Sequence, residues 1–213
     1  TNEWTAKNIV VPGGFHLEYD IYHFDEFVAH IELSVPGEHN VLNSLAAFIA
    51  SYKSGAEIEK ICSGLKHFGG AGRRFELKGT YKGITIADDY AHHPREIEVT
   101  LDAANKMGYK RVWAVHQPFT FTRTAKLLDD FARVLKKADK CVISEIMGSR
   151  EVNTIGIKAT DLSDKIPNSV QIDKLSDIAD YLADNCQDGD LVITLGCGDV
   201  YKVSRMLVEK LKD

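Results

Sequence analysis

No apolar run in this sequence approaches the roughly 20 residues that a membrane-spanning helix needs, and no signal peptide opens it. Nothing here calls for a membrane partner. An excess of basic charge is also missing. Lysine and arginine number 26 against 31 aspartates and glutamates, a net charge of −5. Nucleic-acid binding by bulk charge requires a basic face to displace counterions, so no nucleic-acid partner is expected. The densest basic cluster, Lys136, Lys137 and Lys140, lies at the end of a helical pattern and reads as a solvated helix terminus. Cysteine is scarce: Cys62, Cys141, Cys186 and Cys197 are widely spaced and form no C-x-x-C pair. That excludes a disulfide frame and a thiolate zinc site, and points to reduced thiols in a cytoplasmic protein. Internal repeats and low-complexity tracts are absent too. What remains is ordinary globular composition, 44% hydrophobic and 27% charged over 213 residues, enough for one large domain or two modest ones.

The chain opens on Thr1 rather than Met, and "TNEWTAKNIVVPGG" reads as the middle of something longer, so a fragment is expected. The first third alternates apolar and polar residues in "NIVVP", "FHLEYDIYHF" and "EFVAHIELSV", with Gly13-Gly14 and Asp25-Glu26 between them. This predicts an antiparallel meander with one wet face. After Pro36-Gly37 the period becomes helical. Val41, Leu42, Leu45, Ala46 and Ile49 fall on one face, and a second helix over 56–68 turns Ile58, Ile61, Cys62 and Leu65 inward. "GGAGRRF", from Gly69, is the candidate domain boundary. A hairpin follows, turning near Lys82-Gly83. Thereafter "GITIAD", "RVWAVHQ", "KCVISEI", "SVQI" and "DLVITLG" alternate with helical patterns over 94–107, 122–138, 159–166, 175–186 and 199–211. The class is α/β, with a mostly parallel sheet covered on both faces.

In such a sheet, ligands bind beyond the carboxyl ends of the strands. Four predicted strand ends carry polar or glycine-rich loops: Asp88-Asp89-Tyr90, His116-Gln117-Pro118, Ser144-Glu145 and "GCGD". Asp88 and Asp89 are neighbours on a strand, so they face opposite sides and only one can meet a given ligand. A carboxylate there can accept from ribose hydroxyls. Pro94 suits a first helical turn, with His93 near the cap. Metal binding by Asp88, Asp89, His92, His93 and His116 is an alternative, but ligands from other strands are short, and no metal site is assigned. "TLGCGDVYK" lacks the third glycine of a dinucleotide fingerprint. Arg73 and Arg74 are two solvated arginines or a phosphate clamp at an interdomain cleft. His39, Asn40 and Asn43 open the first helix: an asparagine amide can pair with an adenine edge, or His39 and Asn40 merely cap the helix.

Six strings in order, "GEHNVLNSLAA", "GRRFE", "DDYAHHPREI", "QPFTFTRT", "SREVNTIGI" and "LGCGDVYK", resemble the Mur ligases of peptidoglycan synthesis, over essentially the whole chain. "DDYAHHP" is similar to the branch that joins L-alanine to UDP-N-acetylmuramate. The resemblance implies that 1–71 is the last part of a central ATPase domain, antiparallel strands plus two helices, and that 72–213 is a Rossmann-like C-terminal domain. It implies a cytoplasmic, ATP-dependent amide ligase with ATP and Mg as cofactors, and UDP-N-acetylmuramate and L-alanine as substrates. By this resemblance His39, Asn40 and Asn43 border the adenine, Arg74 reaches the ATP phosphates as the catalytic cation, and Asp89 binds the ribose. Tyr90, His92 and Arg123 face the amino acid, with Arg123 on its carboxylate. The family's phosphate loop, G-x-x-x-x-G-K-[ST], occurs nowhere in the sequence, so the chain alone is expected to be inactive and Mg is expected to be held elsewhere.

One string departs from the family. Where F-Q-P-H-[RT]-[YF]-[ST]-R-T is usual, this chain has "HQPFTFTRT": Phe119 replaces the histidine, and His116 stands where Phe is usual. A ligase that adds a recycled peptide, a metal-dependent phosphoesterase and a stand-alone nucleotide-binding module are the competing classes.

Overall fold

The computed structural model describes residues 3–13 and 16–212. The chain forms two compact units, one of residues 1–71 with 106–108 and one of 72–105 with 109–213.

In the first unit, β1 (Trp4–Gly13), β2 (His16–His23) and β3 (Glu26–Leu33) form an antiparallel sheet in chain order. The turn expected at Gly13-Gly14 involves residues outside the described ones. The other turn is a two-residue loop in which Phe24 and Asp25 both take positive φ, 46° and 70°. That geometry matches the right-handed twist of a tight hairpin. Strand period 2 puts Leu17, Tyr19 and Ile21 on one face beside Ala29, Ile31 and Leu33. Helices α1 (His39–Lys53) and α2 (Ile58–His67) cover that face. The inner face of α1 is not quite the predicted one. Val41, Ser44, Leu45 and Phe48 are buried, while Leu42 is 70% exposed and Ala46 is exposed as well. Counting aliphatic residues misplaced the stripe, because Phe48 is the largest of the helix's buried side chains and is fully buried. Burying such a side chain is worth about 1.5–3 kcal/mol. Ser44 shares its face because its Oγ meets the buried Tyr19 hydroxyl at 2.8 Å.

The second unit holds a six-stranded sheet of β4 (Glu76–Tyr81), β5 (Ile84–Asp89), β6 (Arg111–His116), β7 (Lys140–Ile143), β8 (Ser169–Gln171) and β9 (Asp190–Leu195), in the order β4-β5-β9-β6-β7-β8. Only β4 is antiparallel, joined to β5 through Lys82 and Gly83 with φ of 50° and 77°. A Cβ on Gly83 would also collide with the Asp188 carboxylate. Strands β5 and β9 are buried at all six positions, as a strand covered on both faces must be. Ile84, Ile86, Trp113, Val115, Val142 and Val192 pack under α7 (Leu175–Asn185) and α8 (Tyr201–Lys212). The alternate residues face α3 (Pro94–Asn105) and the helices between β6 and β8. The single helix predicted over 122–138 is two, α4 (Phe121–Lys126) and α5 (Leu128–Leu135). Leu127 swings to φ −113° and ψ 20°, yet Leu127 N–H still donates to Arg123 O and Phe131 N–H to Leu127 O. The result is a kink at which Leu127 keeps one helical bond to each side. A short α6 (Ala159–Ser163) precedes β8. No helix among the described residues is long and apolar enough to cross a membrane.

Candidate functional site

Because β5, β6, β7 and β9 run parallel, their carboxyl ends lie along one edge of the second unit's sheet. The two aspartates that end β5 are both buried and face opposite ways. Asp88, 0% exposed, accepts from Arg73 Nε at 2.9 Å and from Thr194 Oγ1 at 2.6 Å. Asp89 accepts from Ala91 N–H at 2.7 Å, Phe75 N–H at 2.9 Å and Thr100 Oγ1 at 3.3 Å. Burial pushes the Asp89 carboxyl up, against those hydrogen bonds and the nearby Arg74 charge. A ribose was the expected partner of Asp89, but here both its oxygens are turned onto the chain's own donors. The loop after β5 is shaped by them.

Tyr90 is half-exposed, and its ring meets the His92 ring edge-on at 5.3 Å. His93 caps α3, its Nδ1 accepting from Arg95 N–H at 3.3 Å, and Pro94 takes the first helical position. Glu96 closes the turn from inside the helix, accepting from His92 N–H at 3.0 Å and His93 N–H at 3.2 Å. Burial pulls the Glu96 carboxyl up, but those bonds and the charge of His92 and Arg74 hold it below its usual range.

The end of β6 is built differently from the sequence expectation. His116 is a core residue rather than a site residue. Its Nδ1–H donates to Leu195 O at 3.1 Å, its ring lies 5.3 Å from Phe131, and its Nε2 is buried with no partner. Desolvation takes its pKa down to about 4. Gln117 bridges to the β9 turn, donating from Nε2 to Asp199 at 2.8 Å and accepting Val200 N–H at 3.2 Å. Phe119 pairs with Met147 in an isolated parallel bridge. Its ring lies 5.9 Å from the guanidinium carbon of Arg123, within reach of a cation–π contact. One Arg123 nitrogen, Nη1, is buried and has no acceptor.

The turn after β9 needs its glycines. A Cβ on Gly198 would strike Gln117 Oε1 and, at 2.5 Å, Met147 Sδ. Close packing is what "GCGD" serves here. Between those glycines, burial raises the Cys197 thiol, while the charges of Arg123 and Arg73 pull against it. Arg73 holds this turn directly through the carbonyls of Gly196 and Gly198, and its guanidinium lies 5.0 Å from the Tyr90 ring, which meets His92.

In the first unit, α1 begins at His39 with Glu38 as N-cap and no side-chain cap hydrogen bond. The capping alternative for His39 and Asn40 is thereby corrected: both lie inside the helix, where the side chain no longer meets the free N–H groups. Asn40 Nδ2 donates back to Pro36 O at 2.7 Å, and Asn43 Nδ2 donates to Asn40 Oδ1 at 3.1 Å. Among the described residues no three histidines, cysteines or carboxylates converge as metal ligands. The phosphoesterase set is dispersed: Asp88 and Asp89 face apart, His93 is a cap, and His116 is sealed in the core. Nor do these residues fit a Mg site.

Glu96 was not singled out in the sequence, and Arg73 was read only as solvated or as a phosphate clamp, not as the residue bonded to Asp88 and the glycine turn. Glu96 had a signal, since an acid three residues after a cap closes a capping box. The scaffold role of Arg73 had none, because nothing in "GRRFE" distinguishes the first arginine from the second.

A family pattern described as "Mur ligase, glutamate ligase domain" matches residues 73–198, more than half of the chain. The chain belongs to the Mur ligases. A UDP-N-acetylmuramate–L-alanine ligase of Lachnospira eligens is 49% identical over 183 residues, covering 84% of this chain and 40% of that protein. Its counterpart in Caldanaerobacter subterraneus subsp. tengcongensis is 40% identical over 215 residues, covering 99% and 47%. This Mur ligase chain thus spans less than half the length of these curated relatives. In fold, it matches the UDP-N-acetylmuramate-alanine ligase of Thermotoga maritima with a TM-score of 0.83 at 23% identity, over 100% of this chain and 46% of that one. A murein peptide ligase of Psychrobacter arcticus gives 0.60 at 27% identity, over 100% and 45%.

Proposed function

We propose that this chain is the amino-acid-binding and nucleotide-closing part of an ATP-dependent ligase that joins L-alanine to the carboxylate of UDP-N-acetylmuramate. The observation that carries the reading is Arg123. A buried guanidinium nitrogen without an acceptor is costly, and the missing acceptor is supplied by an anionic ligand. A carboxylate matches the planar fork best. The names of the relatives, each a UDP-N-acetylmuramate–L-alanine ligase, support alanine as its owner.

The substrate carboxylate attacks the γ-phosphorus of ATP, ADP leaves, and an acyl phosphate forms. The amino nitrogen of L-alanine then attacks the acyl carbon, phosphate departs, and the nitrogen gives up a proton. Arg123 holds the alanine carboxylate, and Tyr90 and His92 flank it, their rings packed edge to face. Arg74, exposed and 5.9 Å from the Tyr90 ring, answers the charge on the transferring phosphoryl group. Asp89 serves the nucleotide by shaping the turn that meets it, and His39, Asn40 and Asn43 border the adenine. We place 1–71 in the ATPase domain and 72–213 in the C-terminal domain, in the cytoplasm. Mg accompanies ATP, and no step is assigned to it on these residues.

The test is ADP release by the full-length ligase. Release should require both UDP-N-acetylmuramate and L-alanine. A requirement met by a tripeptide in place of L-alanine would instead make this a peptide-adding ligase. The 213-residue chain alone, with no phosphate loop, should release nothing.

A further inference from the structure

We infer that Arg73 is a positioning residue for the amino-acid side of this site, acting through the Tyr90 ring and the glycine turn after β9. The inference rests on the ligase reading above. Arg73 is the central rung of a stack in which cations and rings alternate. Arg74, Tyr90, Arg73, Tyr201 and Arg205 follow one another, with guanidinium-to-centroid distances of 5.9, 5.0, 4.9 and 4.9 Å. The outer two arginines are exposed.

Only the central one is also bonded on every side. Its Nε donates to Asp88 at 2.9 Å, its Nη2 to Gly196 O at 2.6 Å and its Nη1 to Gly198 O at 3.3 Å. Its own backbone is engaged as well, the N–H donating to Glu76 at 2.8 Å and the carbonyl accepting Tyr90 N–H at 2.7 Å. These bonds hold Arg73 at φ +59°, a conformation that non-glycine residues avoid. Such strain persists only where the surroundings over-determine it.

One planar group therefore ties three segments together: the end of β5, the turn that carries Cys197, and the Tyr90 ring. The same turn packs at Gly198 against Met147, the bridge partner of Phe119, whose ring lies 5.9 Å from the Arg123 guanidinium. Lysine could keep the charge but not the fork or the stacking face, so the exchange is not conservative here. The adjacent arginines thus divide their work. Arg74 is available to a diffusing anion, while Arg73 is fixed inside the scaffold.

The test is steady-state kinetics of the full-length ligase with Arg73→Lys and Tyr201→Leu, alongside Arg123→Ala. Arg73→Lys should raise the KM for L-alanine roughly tenfold, with the KM for UDP-N-acetylmuramate within about twofold of the parent. Tyr201→Leu removes one face of the stack and should shift the same KM in the same direction by less. A protein that is merely loosened would lose thermal stability without this selective change. Unchanged alanine KM in both variants, or a parallel rise in the KM of every substrate, overturns the inference. If Arg123→Ala still raises the alanine KM in that case, the ligase reading stands and only the role of Arg73 falls. If Arg123→Ala has no effect either, both fall.

Discussion

Asp88 is fully buried beneath a single guanidinium, its Oδ2 2.9 Å from Arg73 Nε, with Thr194 on its other oxygen. This pair joins the joint segment before β4 to the centre of the parallel sheet. Breaking a buried pair by removing one partner is far costlier than the pair's net contribution, because an uncompensated charge is left behind. Asp88→Ala should therefore cost about 3 kcal/mol, read as a lower urea midpoint of the 213-residue chain. A loss under about 0.5 kcal/mol, the size of an ordinary surface substitution, would mean that Arg73 is held by its carbonyl bonds alone.

His116 sets a pH dependence. Its folded-state pKa is about 4 against an ordinary 6.5, so between these values the unfolded chain binds the extra proton. Stability contributed by the neutral buried ring is full above about 6.5 and is lost as pH falls toward 4, by up to roughly 3 kcal/mol. His116→Phe removes the titration and the unpartnered Nε2 together. The difference in unfolding free energy between the two proteins should widen in favour of Phe as pH drops from 7 to 4.5. A constant difference across that range would refute the assignment.

Gly198 is fixed by contact rather than by conformation. A Cβ there meets Gln117 and Met147, and overpacking of this kind costs about 1–3 kcal/mol. Gly198→Ala should lower the melting temperature, whereas Gly55→Ala, with open space around it but positive φ, tests the purely conformational penalty for comparison.

The sequence made the framework legible where one residue type has one local use. Lys82-Gly83 announced a hairpin turn, Pro94 a helix start, and the apolar runs a parallel sheet with its loops on one edge. It failed where position depends on neighbours far along the chain. The face of α1 turned on Phe48 and on Tyr19 meeting Ser44, which no periodicity encodes. The kink at Leu127 carries no proline or glycine. Arg73 and Arg74 are identical letters with opposite environments, and His116 looked like a strand-end ligand until Leu195 and Phe131 enclosed it. His39 and Asn40 lie one and two positions past the cap, a shift smaller than the accuracy of any boundary read from sequence.

The central claim is that Arg123 holds the carboxylate of L-alanine. The most direct test is the KM for L-alanine of the full-length ligase with Arg123→Ala, assayed with saturating ATP and UDP-N-acetylmuramate. Losing a charge-assisted bidentate contact of about 2–3 kcal/mol should raise that KM by roughly 30- to 150-fold while leaving the KM for ATP near its parent value. An unchanged alanine KM, or an equal rise for ATP, would contradict it.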